Sequence, residues 1–447
     1  MTSPPARFVG RLGSVGCLAA GYAVFQGLFG VLPNSIDGEP ARYLVAGVSG
    51  LATAACAWLA AALLRARAAA PARTAAPLAA PPTAEPGLLP GLFAAAYDTL
   101  ATQVDVVDDP ALGRLTGWSH ALDESDPSRP TPVGTAYGLH SMLELGVPDG
   151  RLNTGDLVDT LWRLRLPGGG WSARSQGSEA RPEVTALVLG VLARAGASRE
   201  RLAAEVDLCA SAFTRQLDRA GRDSTHVVTT VLRGLLRAAP DSALLPGLRE
   251  ALVDGAISDP RRAHLRCWSH RLDSSFGPLP VRSPSPLHTS QAVVALDRTA
   301  RVLGGEGAAA RAAREDGVRW LLACPDAPHD TCSDLDNLRE EVRRPRTDDP
   351  TRHEVLNVRH YTATWIVRAL LSSGAREIAR QDGLESEWRE RVEGAVAAVR
   401  AGQTEDGVWT WSEQDGSDLR QPMWMTYQGL SALRAHAVWM YRSGSAE

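Results

Sequence analysis

The sequence contains no lysine, so all 47 of its basic residues are arginines. They nearly balance 51 acidic residues, and the net charge of −4 provides no general attraction to nucleic acid. We therefore interpret the arginines as a compositional bias and expect no nucleic-acid partner. Cysteines are also few, with six scattered over 447 residues and none of the dense spacing of a disulfide framework. This scarcity favours a reducing compartment.

Charge is missing from two apolar runs near the N-terminus, residues 12–32 and 43–64. Each run reaches the about 20 residues that a helix needs to cross the hydrocarbon core of a membrane. The turn between them is short, so the spans are antiparallel, and the arginines that flank the pair place both ends in the cytoplasm. Residues 1–65 are therefore predicted to form a two-span transmembrane hairpin in the cell membrane. The lipid bilayer is its partner, and the N-terminus and the following domain are cytoplasmic. The alternatives are a cleaved signal peptide, a lipoprotein signal at Cys17 and a buried helical hairpin.

A repeated pattern of helices follows the hairpin. Residues 66–90 are dominated by alanine and proline, which is typical of an extended linker. Residues 91–442 then alternate six times between amphipathic helices and helices that are apolar on most sides and therefore buried on both faces. The apolar helices begin near Thr135, Thr185, Thr229, Thr289, Thr362 and Thr426. The pattern predicts an all-α ring with six inner and six outer helices, and six pairs are enough to close it.

Two stretches carry a resemblance to a known superfamily. They are LPGGGWSARSQGSEARPEVTALVLGVLARAG and TEDGVWTWSEQDGSDLRQPMWMTYQGLSAL. In each, a glycine-led turn with tryptophan ends one unit and an inner helix begins after a variable loop. This arrangement resembles the repeat of terpenoid cyclases and protein prenyltransferases. The resemblance implies an (α/α)6 toroid over residues 91–442, with a central cavity whose mouth is lined by the starts of the inner helices.

The catalytic motifs of that superfamily are incomplete here. Its class II cyclases use Asp-x-Asp-Asp near the start of an inner helix. The matching context holds only Glu183, and the nearest similar spacing, DLDN, provides Asp334 and Asp336 but ends in asparagine. Its prenyltransferases hold zinc with an Asp-x-Cys pair and a later histidine. The loop with those letters offers Cys324, His329 and Cys332, whose spacing matches no standard zinc finger. No cofactor is expected, and zinc is the alternative.

Aromatic and histidine side chains near the starts of the inner helices are the candidates for lining the cavity: Tyr137, His288, His360, Tyr361, Trp365, Trp424 and Tyr427. They predict a pocket for a lipid, an isoprenoid or a peptide, with simple core packing as the alternative. Tryptophans at the turns are expected to join successive units. The long charged loop 325–356 is the least repeat-like segment. Its mixed charges are typical of a solvated surface, and the alternative is a lid or a site for a protein partner.

These features predict a membrane-anchored cytoplasmic toroid that binds or senses a lipid, an isoprenoid or a peptide. The alternative is a membrane-associated terpenoid cyclase or prenyltransferase acting on an isoprenoid, so the sequence leaves open whether the protein is an enzyme. Two octets, WSHALDES from Trp118 and WSHRLDSS from Trp268, suggest a duplicated catalytic pair. They belong to the first and fourth units, on opposite sides of a six-unit ring. We therefore interpret them as a repeated turn.

Overall fold

The computed structural model describes most of the chain beyond the predicted hairpin, namely residues 88–123, 129–146, 150–173, 179–214, 224–272, 283–323, 338–345, 353–412 and 419–444. The chain divides into two compact units, Met1–Ala84 and Glu85–Glu447, and every described residue belongs to the second. The predicted membrane hairpin, residues 1–65, lies outside the described residues. No helix within the described ranges is long and apolar enough to cross a membrane. The anchor, the bilayer partner and the cytoplasmic location stay predictions.

Helices dominate the second unit. In chain order they are α1 (Leu88–Thr102), α2 (Pro132–Leu145), α3 (Thr154–Arg163), α4 (Pro182–Arg194), α5 (Arg199–Leu208), α6 (Ala210–Thr214), α7 (Thr225–Ala238), α8 (Leu244–Asp254), α9 (Pro286–Val302), α10 (Ala308–Leu322), α11 (Thr362–Leu370), α12 (Ala375–Gln381), α13 (Glu385–Ala401) and α14 (Met423–Gly444).

Six of these helices form a closed inner ring. In ring order they are α2, α4, α7, α9, α11 and α14, and each packs against the next. The ring closes because α14 packs against α2. The six repeat threonines lie in these helices and are all buried, as the apolar pattern predicts. Outer helices pack against the ring from outside, for example α8 against α7 and α10 against α9. The predicted double ring of helices is confirmed.

The inner helices begin where local chemistry favours a start. Proline occupies the first position of α2, α4 and α9, where the missing N–H is not needed and the fixed φ suits a helix. The side chains of Thr131 and Ser285 cap α2 and α9, accepting from the backbone N–H groups of Gly134 and His288. These caps place the first turn of each inner helix at the same end of the ring.

Buried tryptophans join four of the outer helices to the next inner one. The indole N–H groups of Trp118, Trp171 and Trp268 donate to carbonyls near the end of the preceding outer helix, at distances of 2.6 to 3.0 Å. Their backbone N–H groups donate to a repeat threonine of the following inner helix (Thr135, Thr185 and Thr289) at 3.0 to 3.3 Å. Trp409 likewise donates to the Val399 carbonyl of α13 at 2.8 Å. The predicted joining role of these tryptophans is confirmed.

The described residues of the two octets, 118–123 and 268–272, link neighbouring units. The His120 carbonyl accepts from the backbone N–H of Met423 at 3.0 Å, at the start of α14. The His270 carbonyl accepts from the N–H of Thr225 at 2.9 Å, at the start of α7. The octets precede α2 and α9, which lie opposite each other in the ring. They do not form one dyad, and their repetition reflects the architecture.

In the described part of the chain, four antiparallel hairpins interrupt the helices, so the expectation of an all-α chain misses them. They pair β1 (Asp105–Asp109) with β2 (Gly113–Gly117), β3 (Ile257–Asp259) with β4 (Leu265–Cys267), β5 (Leu338–Pro345) with β6 (His353–His360), and β7 (Trp411–Ser412) with β8 (Leu419–Arg420). Short strands lack a periodicity that separates them from loops. The β5–β6 hairpin occupies part of the predicted loop 325–356, and a protein partner there stays a prediction.

Candidate functional site

A cavity lies within the inner ring and is lined from all six inner helices. It encloses about 510 Å³ of space free of atoms, counting the solvent at its opening. The part of it that a water-sized molecule can occupy measures about 40 Å³. This is below the range of about 300 to 1,000 Å³ that small-molecule sites occupy, so a sugar-sized ligand requires lining side chains to move. The lining residues are Tyr137, His140, Ala186, Leu187, Gly190, His226, Thr230, Arg233, Gly234, Arg237, Arg298, Trp365, Tyr427 and Gln428.

Helix α7 contributes four polar lining residues, more than any other inner helix. His226, Thr230, Arg233 and Arg237 follow one another at intervals of four, three and four residues, which places them on one face of the helix. The stripe spans eleven residues, or about 16 Å along the axis. It begins with an imidazole at the helix start and ends with guanidinium groups near the helix end. The cavity therefore changes character along the ring axis.

Two tyrosines and a histidine meet in the middle of the cavity. The ring centroids of Tyr137 and Tyr427 are 5.6 Å apart, and His140 stacks on Tyr427 at 4.9 Å. Burial raises the pKa of Tyr137 to about 12. Burial also acts to raise the pKa of Tyr427, but the charges of Arg368 and Arg237 outweigh it and bring that pKa below its ordinary value. Two neighbouring phenols thus differ in acidity.

Guanidinium groups occupy the part of the cavity near the helix ends. Arg233 and Arg368 both lie over the ring of Trp365, 4.5 and 4.4 Å from its centroid. Burial, reinforced by the charge of Arg368, lowers the pKa of Arg233 to about 9. Burial and the neighbouring arginines also lower the pKa of Arg298. No aspartate or glutamate is among the cavity-lining residues of the described chain.

Histidines gather where the inner helices begin. The ring of His360 lies 4.6 Å from that of His226 and 6.0 Å from that of His288, measured between centroids. His270 lies 5.7 Å from His288. The Nδ1 atom of His288 is 2.9 Å from the Ser285 hydroxyl, which also caps α9. His226 is the member of this group that faces the cavity, with His360 and His288 buried behind it.

The structure separates the seven predicted cavity residues. Tyr137, Trp365 and Tyr427 line the cavity, while His288 and His360 belong to the buried histidine group. Tyr361 does not line it, because its hydroxyl donates to backbone carbonyls near the end of α13 at 3.3 Å. Trp424 packs edge-on against Trp411 at 5.9 Å instead.

The weak catalytic and metal candidates are not brought to the cavity within the described chain. Glu183 is half-buried in the first turn of α4 and is not among the lining residues. The others, Asp334, Asp336, Cys324, His329 and Cys332, lie outside the described residues. Within the described ranges no group of three or more His, Cys, Asp or Glu side chains could hold a metal ion. The zinc alternative stays a prediction.

Sequence reasoning missed the charged half of the cavity. Arg233, Arg237, Arg298 and Arg368 were counted as compositional bias, and His140 and His226 were not selected. The signal that could have found them is the α7 stripe, because polar residues at helical spacing inside an otherwise apolar, buried helix need a reason to be there. The arginines within this buried helix indicate the charged half of the cavity.

Comparisons with known proteins bear on the fold. No family model matches this sequence, and no curated protein matches it. A solved cellobiose 2-epimerase from Bacillus thermoamylovorans B4167 is 12% identical, covers 78% of this chain and 99% of its own, and has a TM-score of 0.51. A sugar epimerase from a ruminal bacterium is also 12% identical, with 79% and 98% covered and a TM-score of 0.51. A family 76 mannosidase from Bacteroides thetaiotaomicron is 8% identical, with 80% and 100% covered and a TM-score of 0.46.

The chain has an (α/α)6 toroid fold. The closed inner ring and the similarity to the two epimerase structures both indicate this fold. The sequence resemblance to terpenoid cyclases and prenyltransferases was correct about the toroid and extends no further. At these identities the similarity shows the fold alone.

The function expected from the sequence is wrong. Neither a lipid, isoprenoid or peptide sensor nor its alternative, a terpenoid cyclase or prenyltransferase, agrees with these findings. The two epimerase structures are of carbohydrate-active enzymes. The cavity gives the physical reason, because guanidinium, imidazole and phenol groups line it. A hydrocarbon ligand would desolvate those groups without offering any hydrogen bond in return.

Proposed function

We propose that this toroid is an enzyme that moves protons at a carbon atom of a small, hydroxyl-rich substrate, as an epimerase of sugars does. The observation that carries the proposal is the position of two acid–base side chains in the cavity. His226 comes from α7 and Tyr427 from α14, and these helices are opposite each other in the ring. A substrate between them has one proton-transfer group on each face.

Epimerisation next to a carbonyl needs such a pair. The Tyr427 phenolate accepts the proton from the carbon beside the carbonyl, the C–H bond breaks and its electrons form an enolate. The imidazolium of His226 then returns a proton to the opposite face of that carbon, which inverts its configuration. Solvent restores the original protonation of both side chains. A guanidinium such as Arg233 stabilises the enolate oxygen.

The electrostatics of the cavity support these roles. The charges of Arg368 and Arg237 keep the pKa of Tyr427 below its ordinary value despite burial, which favours the phenolate that a base requires. At Tyr137 burial dominates and raises the pKa, so Tyr137 stays a neutral hydroxyl donor beside Tyr427. Thr230 and Gln428 add neutral hydrogen-bonding groups suited to sugar hydroxyls. The two solved epimerases act on sugars within the same fold, which supports the choice of substrate class.

Hydrogen exchange tests the proposal without knowledge of the product. The full chain is incubated in D₂O with a panel of neutral, acidic and phosphorylated reducing sugars. Incorporation of deuterium next to the carbonyl is followed by NMR. We expect incorporation into at least one sugar, and a loss of about 100-fold or more in His226→Asn and in Tyr427→Phe. Tyr427→Phe keeps the ring contacts with Tyr137 and His140.

Matched controls separate chemistry from folding. His264 is exposed on a turn with a φ of 61°, which asparagine tolerates, and Tyr441 is 79% exposed on α14. His264→Asn and Tyr441→Phe are expected to exchange at the wild-type rate. Absence of exchange across the whole panel, or exchange that persists in both cavity variants, would contradict the proposal.

A further inference from the structure

The inner ring carries an excess of positive charge near the ends of its helices. Arg233, Arg237 and Arg298 line the cavity, and Arg368 lies on the Trp365 ring that lines it. These four arginines come from three helices, α7, α9 and α11. They lie 61 to 70 residues apart along the chain from helix to helix, and the packing of α9 against α7 and α11 brings them together.

The acidic side chains nearby are already committed to other partners. Glu144 of α2 accepts from Arg194 at 2.6 Å and from Arg434 at 2.8 Å. Asp297 of α9 is paired with Arg301 at 2.5 Å and accepts from the backbone N–H of Ser373. Neither carboxylate is among the lining residues of the described cavity. The Tyr427 phenolate offsets at most one of the cavity charges, so the guanidinium groups keep an excess of positive charge.

Buried hydrogen-bond donors point to the same conclusion. The Nη1 and Nη2 atoms of Arg368 have no hydrogen-bond partner, although the residue is only 8% exposed. Arg233 uses Nε and one Nη atom on Thr229 and Thr230, neither of which carries charge. A guanidinium has five N–H donors and stays protonated in proteins. Buried donors and charges without partners are rare, because protein interiors pair them.

Helix dipoles explain part of this pattern but not all of it. The end of a helix favours a cation. Long basic side chains at such positions ordinarily extend toward solvent, as Arg301 does with 61% of its side chain exposed. Arg368 is buried instead, and Arg298 is turned to the cavity. A ligand that brings negative charge into the cavity accounts for that orientation.

We propose that the guanidinium groups of Arg233, Arg298 and Arg368 bind an anionic group of the substrate, so that the enzyme acts on an acidic sugar. The anion is a carboxylate, as in a uronic acid, or a phosphate. Both offer the planar or multiple oxygen acceptors that guanidinium groups bind through two hydrogen bonds. That the bound anion belongs to a substrate rests on the proposed function, whereas the anion site itself does not.

Thermal unfolding and calorimetry of the full chain test the site with three probes: glucuronate, inorganic phosphate and neutral glucose, at equal ionic strength set with chloride. An anion that binds the folded state raises the melting temperature. We expect a rise with glucuronate or phosphate and none with glucose. The anion that gives the larger rise identifies the source of the negative charge.

Arginine variants supply the decisive comparison. Arg298→Gln and Arg368→Gln are expected to bind the anion at least about tenfold more weakly, because a hydrogen bond to a charged group is worth at least that factor. Without the anion, Arg298→Gln should melt no lower than the wild type, since it removes repulsion from Arg233 and Arg368. A purely structural arginine would lower the melting temperature. The control is Arg201→Gln, which removes an exposed arginine lying 3.6 Å over the Trp162 ring.

The outcomes separate this inference from the proposed function. Anion binding that is lost in the two cavity variants, without hydrogen exchange in any sugar, supports the site and contradicts the acid–base proposal. Exchange in neutral sugars together with no response to either anion overturns the site and leaves the acid–base proposal intact. Anion binding that persists in both Arg298→Gln and Arg368→Gln also overturns the site.

Discussion

At the scale of single residues, burial and the charges of neighbouring groups decide what each cavity side chain can do. Tyr137 and Tyr427 are chemically identical and adjacent, yet their pKa values move in opposite directions. The charges of Arg368 and Arg237 outweigh burial at Tyr427, whereas burial dominates at Tyr137. Of the two phenols, Tyr427 therefore has the lowered pKa that suits a base, and Tyr137 stays a neutral donor. The charge of Arg237 also acts on His140.

His140 should make the protein less stable in mild acid. Burial, followed by the charges of Arg237 and Arg194, holds its pKa well below the ordinary value. The unfolded chain binds a proton at this histidine below about pH 6.5 and the folded chain does not, so stability is present above that pH and falls as the pH drops. Between pH 6.5 and 5, this one group lowers the free energy of unfolding by up to about 1.4 kcal/mol per pH unit.

Urea unfolding of the wild type and of His140→Phe at several pH values between 5 and 6.5 measures this effect. The variant keeps a ring against Tyr427 and is expected to show a smaller slope of stability against pH. Some slope remains, because burial also lowers the pKa of His436 to about 4. Glu144 acts below this window, since Arg194 and Arg434 hold its pKa below its ordinary value of 4.5 despite burial. Equal slopes in the two proteins would show that His140 is not buried in its neutral form.

At the scale of elements, the repeated turn depends on a glycine that leaves room for a tryptophan. A Cβ atom on Gly138 of α2 would overlap the Trp118 ring, and one on Gly429 of α14 would lie 2.5 Å from the Trp409 ring. The inner helix thus accepts the poor helix propensity of glycine so that the indole can pack flat against it.

Gly138→Ala is expected to destabilise the protein by about 1 to 3 kcal/mol, since it forces the buried Trp118 ring to move. The control is Gly394→Ala in the outer helix α13, where a Cβ would meet nothing within 4 Å. That change should stabilise the protein by about 0.5 to 1 kcal/mol through helix propensity. Chemical unfolding of both variants decides the point, and a Gly138→Ala protein as stable as the wild type would contradict the packing.

The repeat threonine is the second requirement of the turn. Thr289 accepts the backbone N–H of Trp268 at 3.0 Å in a fully buried setting. Thr289→Val keeps the shape and leaves that N–H unpaired, which should cost about 1 to 3 kcal/mol of stability. Thr102→Val removes an exposed hydroxyl bond within α1 and should change stability by less than about 0.5 kcal/mol. Equal effects in the two variants would argue against the role of Thr289.

At the scale of the whole molecule, the last helix closes the ring. Helix α14 packs between α11 and α2, and Arg434 donates to Glu144 across the junction at 2.8 Å. The backbone of Gln421 also donates to Asp123 at 3.0 Å, nearly three hundred positions away. Closure at so long a separation means that the first and last units stabilise each other.

A chain ending at residue 412 should therefore lose cooperative unfolding, although it keeps five of the six inner helices. Its α2 and α11 would expose faces that now pack against buried residues of α14 such as Leu430 and Leu433. Scanning calorimetry and solubility measure the result. A chain ending at residue 444 is the control and should melt as the full chain does, and a sharp transition in the shorter chain would indicate an open solenoid.

The sequence by itself determined the repeat. Helical spacing of apolar residues, a tryptophan turn and a buried threonine are local features, so six inner helices and their outer partners could be predicted without a structure. The hairpins could not, because β1 to β8 are short and acquire their pattern only when paired. The polar stripe of α7 is visible in the sequence, but the assembly of the cavity from six helices belonged to the tertiary structure alone. Whether Arg233, Arg298 and Arg368 are surface charges or one buried site depends on which helix faces meet when the ring closes. That long-range contact leaves no local trace in the sequence.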